Sequence, residues 1–195
     1  MIHARRLATA AACTALLALA GCTSSMPGQA STAPASPNQT GAAPTSTNSS
    51  APKVTSPKNL KAISDACQLL TPQQLQELGA SGPRPDKSLW GEANCAWRND
   101  NLYLRLSPDT SQGRGLSAAY SNRKPGSTET TVSGHPGLQA DKDGMSCGVY
   151  VGVSDTQAFL TAVTILRDVK PEYKDRCAFA EKIAGMVLTN LPPGS

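Results

Sequence analysis

Hydrophobic residues divide the 195-residue chain into three parts. Residues 7–19 are almost all apolar, whereas residues 22–57 contain no aromatic residue and only two larger aliphatic ones. From residue 58 onward, apolar positions recur with the periods of strands and helices, as expected of a chain that folds around one core. The pattern therefore predicts a leader at 1–21, a tether at 22–57 and one folded domain at 58–195.

Three segments of the domain carry helical signals. In "TPQQLQELG", Thr71 is a good N-cap, Gln74 completes a capping box and Gly79 provides the left-handed stop, so a helix is expected between them. A shorter helix is expected in "GLSAAYSN". The segment "PEYKDRCAFAEKIAGMVLTNLPP" has apolar residues at helical spacing, which predicts one helix that begins near Pro171.

Alternating apolar and polar positions predict an antiparallel sheet. The segment "ANCAWRNDNLYLRLSP" is typical of a hairpin that turns at residues 99–101. "TETTVS" and "GLQADK" are expected to pair across a turn at residues 134–137, and "MSCGVYVGVSD" to form a further strand. "AFLTAVTILRD" is apolar on both faces, which predicts a central strand covered on both sides. The predicted fold class is α+β, an antiparallel sheet with helices packed against it.

The leader has the features of a bacterial lipoprotein signal. Arg5 and Arg6 precede the apolar run, which rises only about 20 Å as a helix and cannot span a hydrocarbon core of about 30 Å. "LAGC", which ends at Cys22, resembles a lipobox, in which the cysteine sulfur receives a diacylglyceryl group and the chain is cut before it. We therefore expect Cys22 to carry two acyl chains and to anchor the protein to the outer face of the cell membrane.

The tether is rich in Ser, Thr, Pro and Ala, and Lys53 is its only charged residue. Such a composition cannot bury enough apolar surface to offset the entropy of ordering, so residues 22–57 are expected to remain disordered. A flexible chain of this length has an end-to-end distance of roughly 30–35 Å. The tether would therefore hold the domain away from the bilayer.

Four cysteines remain when Cys22 is lipidated and the leader is removed, namely Cys67, Cys95, Cys147 and Cys177. An even number in an exported chain indicates two disulfides, for which three pairings are possible. The spacing favours Cys67–Cys95 and Cys147–Cys177, which close loops of similar length. No CxxC spacing occurs, so we predict neither a metal site nor a cofactor.

The charge of the chain does not indicate a nucleic-acid partner. The full sequence has a formal net charge of +4, and it contains no dense run of Lys and Arg. Export to the outside of the cell argues further against nucleic acid. The expected partners are instead the membrane, through the anchor, and an envelope protein or a lipid or glycan ligand.

Several residue groups resemble those of a known family. They are residues 65–70 ("DACQLL") with Thr71, residues 95–97 ("CAW"), residues 147–148 and the terminal segment 177–192. The chain is similar in these groups to the family called domain of unknown function 3558, lipoproteins of actinobacterial cell envelopes. A weaker resemblance is to lipoproteins with a photosystem-protein-like α+β sandwich. The first resemblance implies a localisation and a fold class but no catalytic residue.

Four residues are candidates for ligand contact: Trp90, Tyr103, Tyr120 and His135. His135 is the only histidine after the leader, so a catalytic triad would need it. It lies in "GHPG", which is typical of a turn, and no nucleophile motif accompanies it. Trp90 lies in a loop and becomes a ligand contact if it is exposed near either tyrosine. We therefore predict no catalytic residue.

Two further features are predicted to be structural. Trp97 is two residues from Cys95 on the inner face of a strand, where core packing is the usual role of a tryptophan. Asp141 and Asp143 precede Gly144 in a segment that lacks the further ligands of a calcium loop. A polar hairpin turn is the expected structure there.

Three functions are compatible with the sequence. The first is a non-catalytic binding or scaffolding module of the cell envelope. The second is a carrier of lipid or small ligand, with a cavity between sheet and helices; a crevice lined by Gly148 and Gly152 would favour it. The third, a cell-wall enzyme, would need a convergent polar cluster around His135 or buried acids with shifted pKa values. We rank the three in this order.

Overall fold

The computed structural model describes residues 50–88 and 91–194. These residues form a seven-stranded antiparallel sheet with three α-helices and two disulfides, which confirms the predicted α+β class. The strands are β1 (Arg84–Lys87), β2 (Ala93–Arg98), β3 (Leu102–Asp109), β4 (Thr128–Val132), β5 (His135–Ala140), β6 (Ser146–Gly152) and β7 (Ala158–Ile165). The helices are α1 (Pro72–Leu78), α2 (Ser117–Ser121) and α3 (Arg176–Asn190).

The order of the strands across the sheet is β1-β2-β3-β7-β6-β5-β4. The chain first builds one half of the sheet with β1 to β3 and then crosses to the opposite edge, where β4 begins. It returns strand by strand, so β7 closes the sheet beside β3. The segment that crosses from β3 to β4 contains α2, and this helix packs on one face of the sheet.

One face of the sheet, called here the inner face, forms the main core with α3. Trp97, Leu104 and Val149 point from three different strands into this core, and each is at most 1% exposed. The helix contributes Ile183 and Val187, which are fully buried. The prediction that Trp97 is a core residue is confirmed.

Both predicted disulfides are present. Cys67 joins Cys95 on β2, and Cys147 on β6 joins Cys177 on α3. The second bond links the inner face directly to the helix that covers it. Spacing alone therefore identified the correct pairing among the three possible ones.

The predicted capping box of α1 is confirmed, whereas the terminal helix differs from its prediction. The Thr71 hydroxyl accepts from the Gln74 amide at 3.2 Å, and the Gln74 side chain accepts from the Thr71 amide at 2.9 Å. At the other end of the chain, Pro171–Lys174 forms a 3₁₀ turn that is separate from α3. Asp175 has an extended backbone, and its side chain accepts a hydrogen bond from the Ala178 amide at 2.9 Å. Asp175 is therefore the N-cap of α3, which begins as a separate helix.

The predicted turn at residues 134–137 is wrong in its position. Val132 pairs with His135, so Ser133 and Gly134 alone connect β4 to β5. Both have positive φ, 48° and 81°, which is the geometry of a two-residue turn that matches the twist of the flanking strands. His135 is consequently the first residue of β5, and its side chain is buried.

The strand β7 is central as predicted, but it is not covered on both sides. Phe159 and Val163 are buried on the inner face, whereas Leu160 and Ala162 are partly exposed on the opposite, outer face. Because α2 has only five residues, it covers only part of the outer face. The sequence analysis predicts no strand at β1, and all four of its residues are exposed at the sheet edge.

Residues 51–57, called here the strap, lie against the domain although the sequence predicts them to be disordered. Backbone bonds join Gly194 to the carbonyl of Pro57 at 2.8 Å, and Lys58 to the carbonyl of Val153 at 2.7 Å. These contacts with distant parts of the chain order a segment whose own composition does not. The leader, Cys22 and residues 23–49 of the predicted tether lie outside the described residues.

Candidate functional site

The outer face of the sheet carries a groove of about 420 Å³ next to α2, called here the α2 groove. Its walls come from α2 and the segments that flank it, and from β3, β5 and β6. Its lining includes the small residues Ala118 and Ala119 of α2. Its polar lining residues are Asp109, Gln112, Arg114, Asn122, Arg123, Lys124, Asp141 and Tyr150.

A second cavity of about 220 Å³ adjoins the α2 groove. The two share Asp109, Ala118, Ala119 and Tyr150, so they form one recess that continues along α2. The second cavity is more apolar, because Leu160 and other residues of β7 line it. The recess therefore combines a charged part and an apolar part.

Packing of α2 against β5 creates the recess. Leu116 and Tyr120 bury their side chains against Leu138 and form a small core that is separate from the main one. Gly115, with φ of 49°, allows the helix to begin close to the β6–β7 turn. A Cβ at this glycine would lie 2.7 Å from the carbonyl oxygen of Asp155. The helix α2 is thus held close to β5 and to the β6–β7 turn, and the recess lies on its other side.

Tyr150 lies at the centre of the recess. Because side chains alternate along β6, Cys147 and Val149 point to the core and Tyr150 to the outer face. Burial raises the pKa of Tyr150, and the negative charge of Asp141 raises it further, while two nearby cations oppose these effects. The phenol is therefore protonated at neutral pH and can donate a hydrogen bond.

Asp109, at the end of β3, is the acid of the recess with a shifted pKa. Burial raises the pKa of this carboxyl and the charge of Glu92 adds to the effect, while a hydrogen bond from the Gln112 amide and the charge of Arg114 lower it. Glu92 itself accepts from the amides of Thr110 and Ser111 at 2.6 and 2.7 Å. The role of Glu92 is therefore to hold the chain as it leaves β3.

Two cations that line the α2 groove form ion pairs with acids of the protein. Lys124 contacts Asp141 at 2.8 Å, and this hydrogen bond raises the pKa of the lysine. Arg123 contacts Glu129 at 3.7 Å and lies over the ring of Tyr120 at 5.8 Å. These cations are therefore already matched by acids of the protein.

Arg105 is a cation without such a match. It lies on the outer face of β3, where Ala96 and Ala162 are its neighbours across the sheet. Its side chain is half-buried, and its Nε is buried without a hydrogen-bond acceptor. Its positive charge acts on Tyr150 and lowers the pKa of the phenol. No acid of the described residues forms an ion pair with this guanidinium.

The structure does not bring the predicted ligand contacts together. Tyr103 is half-buried on the outer face and lies about 20 Å along β3 from Asp109. Tyr120 is buried in the packing of α2, and His135 is bonded to Ser56 through its ring. None of these three is among the residues that line the recess, and Trp90 lies outside the described residues.

The residues that do line the recess were not predicted as site residues. One sequence signal could have identified Tyr150, because it is the only large residue on the glycine face of "CGVYVG". Asp109 carries no comparable signal. Its role depends on α2, which reaches it only through the tertiary fold.

Gly148 and Gly152, where a crevice would have favoured the carrier, are closely packed. A Cβ at Gly148 would lie 3.2 Å from Cδ1 of Leu160, and a Cβ at Gly152 would lie 3.1 Å from Cβ of Leu116. Both glycines therefore allow close packing of leucines. The recess lies beside these positions, between the outer face and α2.

The residues described contain no cluster of His, Cys, Asp or Glu that could hold a metal ion. Asp143 accepts from the amides of Met145 and Ser146 at 2.7 and 2.6 Å, so it closes the β5–β6 turn. These two bonds lower the pKa of the Asp143 carboxyl. The predicted polar turn is confirmed.

The sequence of the chain matches the profile of one protein family. The profile of "Protein of unknown function (DUF3558)" matches residues 17–190, from the leader to the last residue of α3. The chain belongs to the DUF3558 family. No curated protein and no solved structure matches the chain.

The DUF3558 profile covers every strand and helix that lines the recess. The matched range includes both disulfides, the strap and α2. Within the described part of this DUF3558 chain, no helix is both long and apolar enough to cross a membrane.

Proposed function

We propose that this DUF3558 protein is a non-catalytic binding module, held at the outer face of the cell membrane by a lipid on Cys22. The lipobox supports the anchor, and the two disulfides are typical of a protein that folds in an oxidising compartment. The recess beside α2 is the proposed binding site.

The observation that carries this proposal is the concentration of polar and charged groups in the recess. Residues such as Asp109, Arg114 and Tyr150 lie on the face opposite the main core, so they contribute nothing to its packing. A recess of a few hundred Å³ with a few convergent polar groups is the usual form of a small-ligand site. His135, which a catalytic triad of this chain would need, is engaged with the carbonyl of Ser56 instead.

A carrier of lipid or small ligand is the second candidate. The apolar cavity that continues from the α2 groove, lined by Phe159 and Leu160, favours it. A carrier would retain its ligand during purification, whereas a scaffolding module would retain a second polypeptide. A cell-wall enzyme remains the third candidate, with Asp109 as the acid whose pKa is raised.

Native mass spectrometry of the protein released from its own envelope tests the anchor. We expect the mature chain to begin at Cys22 with the mass of a diacylglyceryl group added, and the substitution Cys22→Ser to leave the leader uncleaved. A mature chain that begins elsewhere, or that lacks the added mass, contradicts the lipid anchor.

The same measurement on the domain tests the recess. Added mass of a few hundred daltons or more identifies a retained ligand and favours the carrier. A bare domain with a polypeptide bound favours the scaffolding module. In either case, Arg114→Ala should weaken binding, whereas Arg98→Ala, a substitution on the same face outside the recess, should not. Equal binding by both variants contradicts the assignment of the site.

A further inference from the structure

The strand β4 forms one edge of the sheet and has a free side. It pairs with β5, and no other segment of the described residues forms backbone hydrogen bonds with it. Thr128, Glu129 and Thr131 are exposed along this edge. An edge strand of this kind presents unpaired backbone groups, with which a further strand can pair.

The turn between β4 and β5 shows which backbone groups of β4 are free. Val132 and His135 flank this two-residue turn, so they exchange backbone hydrogen bonds, and bonded and non-bonded pairs alternate from there. Glu129 and Thr131 belong to non-bonded pairs, and Pro136, opposite Thr131, has no amide hydrogen to contribute. The amides and carbonyls of Glu129 and Thr131 therefore point away from β5, toward the free side.

The opposite edge of the sheet is protected against pairing, whereas β4 is not. The strand β1 has only four residues, and its sequence is "RPDK". Proline and charged side chains, lysine above all, are the usual means by which an edge strand avoids pairing with another chain. The sequence of β4 is "TETTV", in which four of five residues are β-branched and Glu129 is the only charged one. The composition of β4 therefore favours pairing.

The strand β4 is complementary to a second copy of itself. In an antiparallel pair centred on Thr130, Glu129 of each copy lies opposite Thr131 of the other, so the free amides and carbonyls of both residues are bonded. A pair centred on Glu129 would place two acids opposite each other, which is unfavourable. A pair centred on Thr131 would place Glu129 opposite Ser133, which lies in the turn. Among these registers, only the one centred on Thr130 bonds every free group without opposing like charges.

The two-fold axis of this pair is perpendicular to the sheet. The outer faces of both copies therefore lie on the same side, and each carries its own α2 recess. On the inner face, Thr130 lies beside Thr130 of the second copy, a pairing that stabilises neighbouring strands. Glu181 on α3 accepts from the Thr130 hydroxyl at 2.6 Å, so one carboxylate of each copy lies close to the axis. The repulsion between these carboxylates limits the strength of the pairing.

We propose that the protein forms a two-fold dimer through β4, in which two seven-stranded sheets join into one continuous sheet. The two β4 strands are antiparallel, and Thr130 lies on the axis. The inference does not depend on what the recess binds. It adds that two recesses face the same way, so one partner can contact both.

Hydrogen exchange of the wild-type chain tests the dimer. The full mature chain is studied by NMR at several concentrations in detergent, with micelles in excess over chains. The amides of Glu129 and Thr131 should exchange about tenfold more slowly when the dimer is the main species, because they exchange only from the monomer. The Thr130 amide is bonded within the hairpin, so its exchange is the control and should not change with concentration.

Two results of this measurement overturn the proposal. Protection of Glu129 and Thr131 that dilution does not change would mean that another part of the same chain covers β4. Fast exchange of both amides at every concentration would mean that β4 stays unpaired.

Cysteine substitutions within the same strand test the register. The Cα atoms of a non-bonded antiparallel pair are about 4.5 Å apart, which a disulfide can span, so Thr130→Cys should give a covalent dimer on a non-reducing gel. Thr128→Cys is the matched control, because its Cα atoms would lie about 13 Å apart along the strands, and it should give no dimer. Equal cross-linking by both variants, or none by Thr130→Cys, overturns the proposed pairing.

Substitutions at Thr131 and Glu181 separate dimer formation from folding, with the mass measured by light scattering. Thr131→Pro removes an amide hydrogen that the domain itself does not use, so the domain should stay folded and the dimer should be lost. Thr131→Ala keeps the amide and should remain dimeric. Glu181→Gln removes a like charge near the axis and should strengthen the dimer. A folded Thr131→Pro variant that remains dimeric overturns the proposal.

Discussion

The Nε2 atom of His135 lies 2.9 Å from the carbonyl oxygen of Ser56. Because a carbonyl oxygen can only accept a hydrogen bond, Nε2 is the donor in this contact. Nδ1 of the same ring lies 3.3 Å from the carbonyl oxygen of Ser133 in the β4–β5 turn. The ring therefore connects the strap with the β4–β5 turn.

Substitution of His135 tests this connection. His135→Ala removes a buried hydrogen bond and leaves a small void, so we expect a loss of stability of about 1–2 kcal/mol. The amides of the strap should exchange with deuterium faster than in the wild type. Lys53→Ala is the control, because the ion pair of Lys53 with Asp155 is exposed and contributes little. Unchanged exchange in the strap of His135→Ala contradicts the prediction.

Gly115 and Gly113 form a matched pair for testing the position of α2. Both have positive φ, 49° and 66°, so an alanine at either position is strained to a similar extent. A Cβ at Gly115 also lies 2.7 Å from the oxygen of Asp155, whereas nothing lies within 4 Å of one at Gly113. We expect Gly115→Ala to be less stable than Gly113→Ala by about 1–3 kcal/mol in chemical denaturation. Equal stability would show that α2 is not held against the β6–β7 turn.

The two disulfides should contribute similarly to stability. Their cysteines are 28 and 30 residues apart, and closing a loop of this length is worth about 3.5 kcal/mol in the chain-entropy model. We expect each double substitution, Cys67→Ala with Cys95→Ala and Cys147→Ala with Cys177→Ala, to lose about that much in denaturant unfolding. A loss below about 1 kcal/mol for either pair would contradict the prediction.

Asp109 should make the folded protein less stable at neutral pH than at acidic pH. Its pKa is raised chiefly by burial, so the folded state favours the neutral carboxyl. The stability it contributes is present below about pH 3.8 and is lost as the pH rises through the raised pKa. We therefore expect Asp109→Asn to melt above the wild type at pH 7 and with it at pH 3. A gain that is the same at both pH values would have another cause.

Asp143 should behave in the opposite way. Its pKa is lowered by hydrogen bonds from the amides of Met145 and Ser146, so the folded state favours the carboxylate. That contribution is present above about pH 3.8 and is lost as the pH falls through the lowered pKa. Asp143→Ala should melt below the wild type at pH 7, and the difference should shrink as the pH falls below 3. Melting temperatures of the wild type and of both variants at several pH values test the two predictions.

Features that depend on neighbouring residues were predictable from the sequence. The capping box needs only Thr71 and Gln74, three positions apart, and the first hairpin needs only alternation around residues 99–101. The turn between β4 and β5 shows the limit of such signals. Pro136 and Gly137 resemble turn residues, but pairing of Val132 with His135 places both in a strand.

The recess depends on contacts between distant parts of the chain. Tyr150 and Asp109 come from strands β6 and β3, which are separated in the sheet by β7. Leu138 on β5 decides where α2 packs, and that packing decides which side chains border a cavity. No spacing within one segment contains this information.

The sequence by itself determined the fold class, the disulfide pairs and the caps of α1. These depend on composition, on periodicity or on residues close together along the chain, where local geometry limits the alternatives. Only the tertiary structure decided the strand order, the packing of the strap and the position of α2 on the outer face. Those features depend on which distant surfaces bury each other, and many arrangements satisfy the same local pattern until the whole sheet closes.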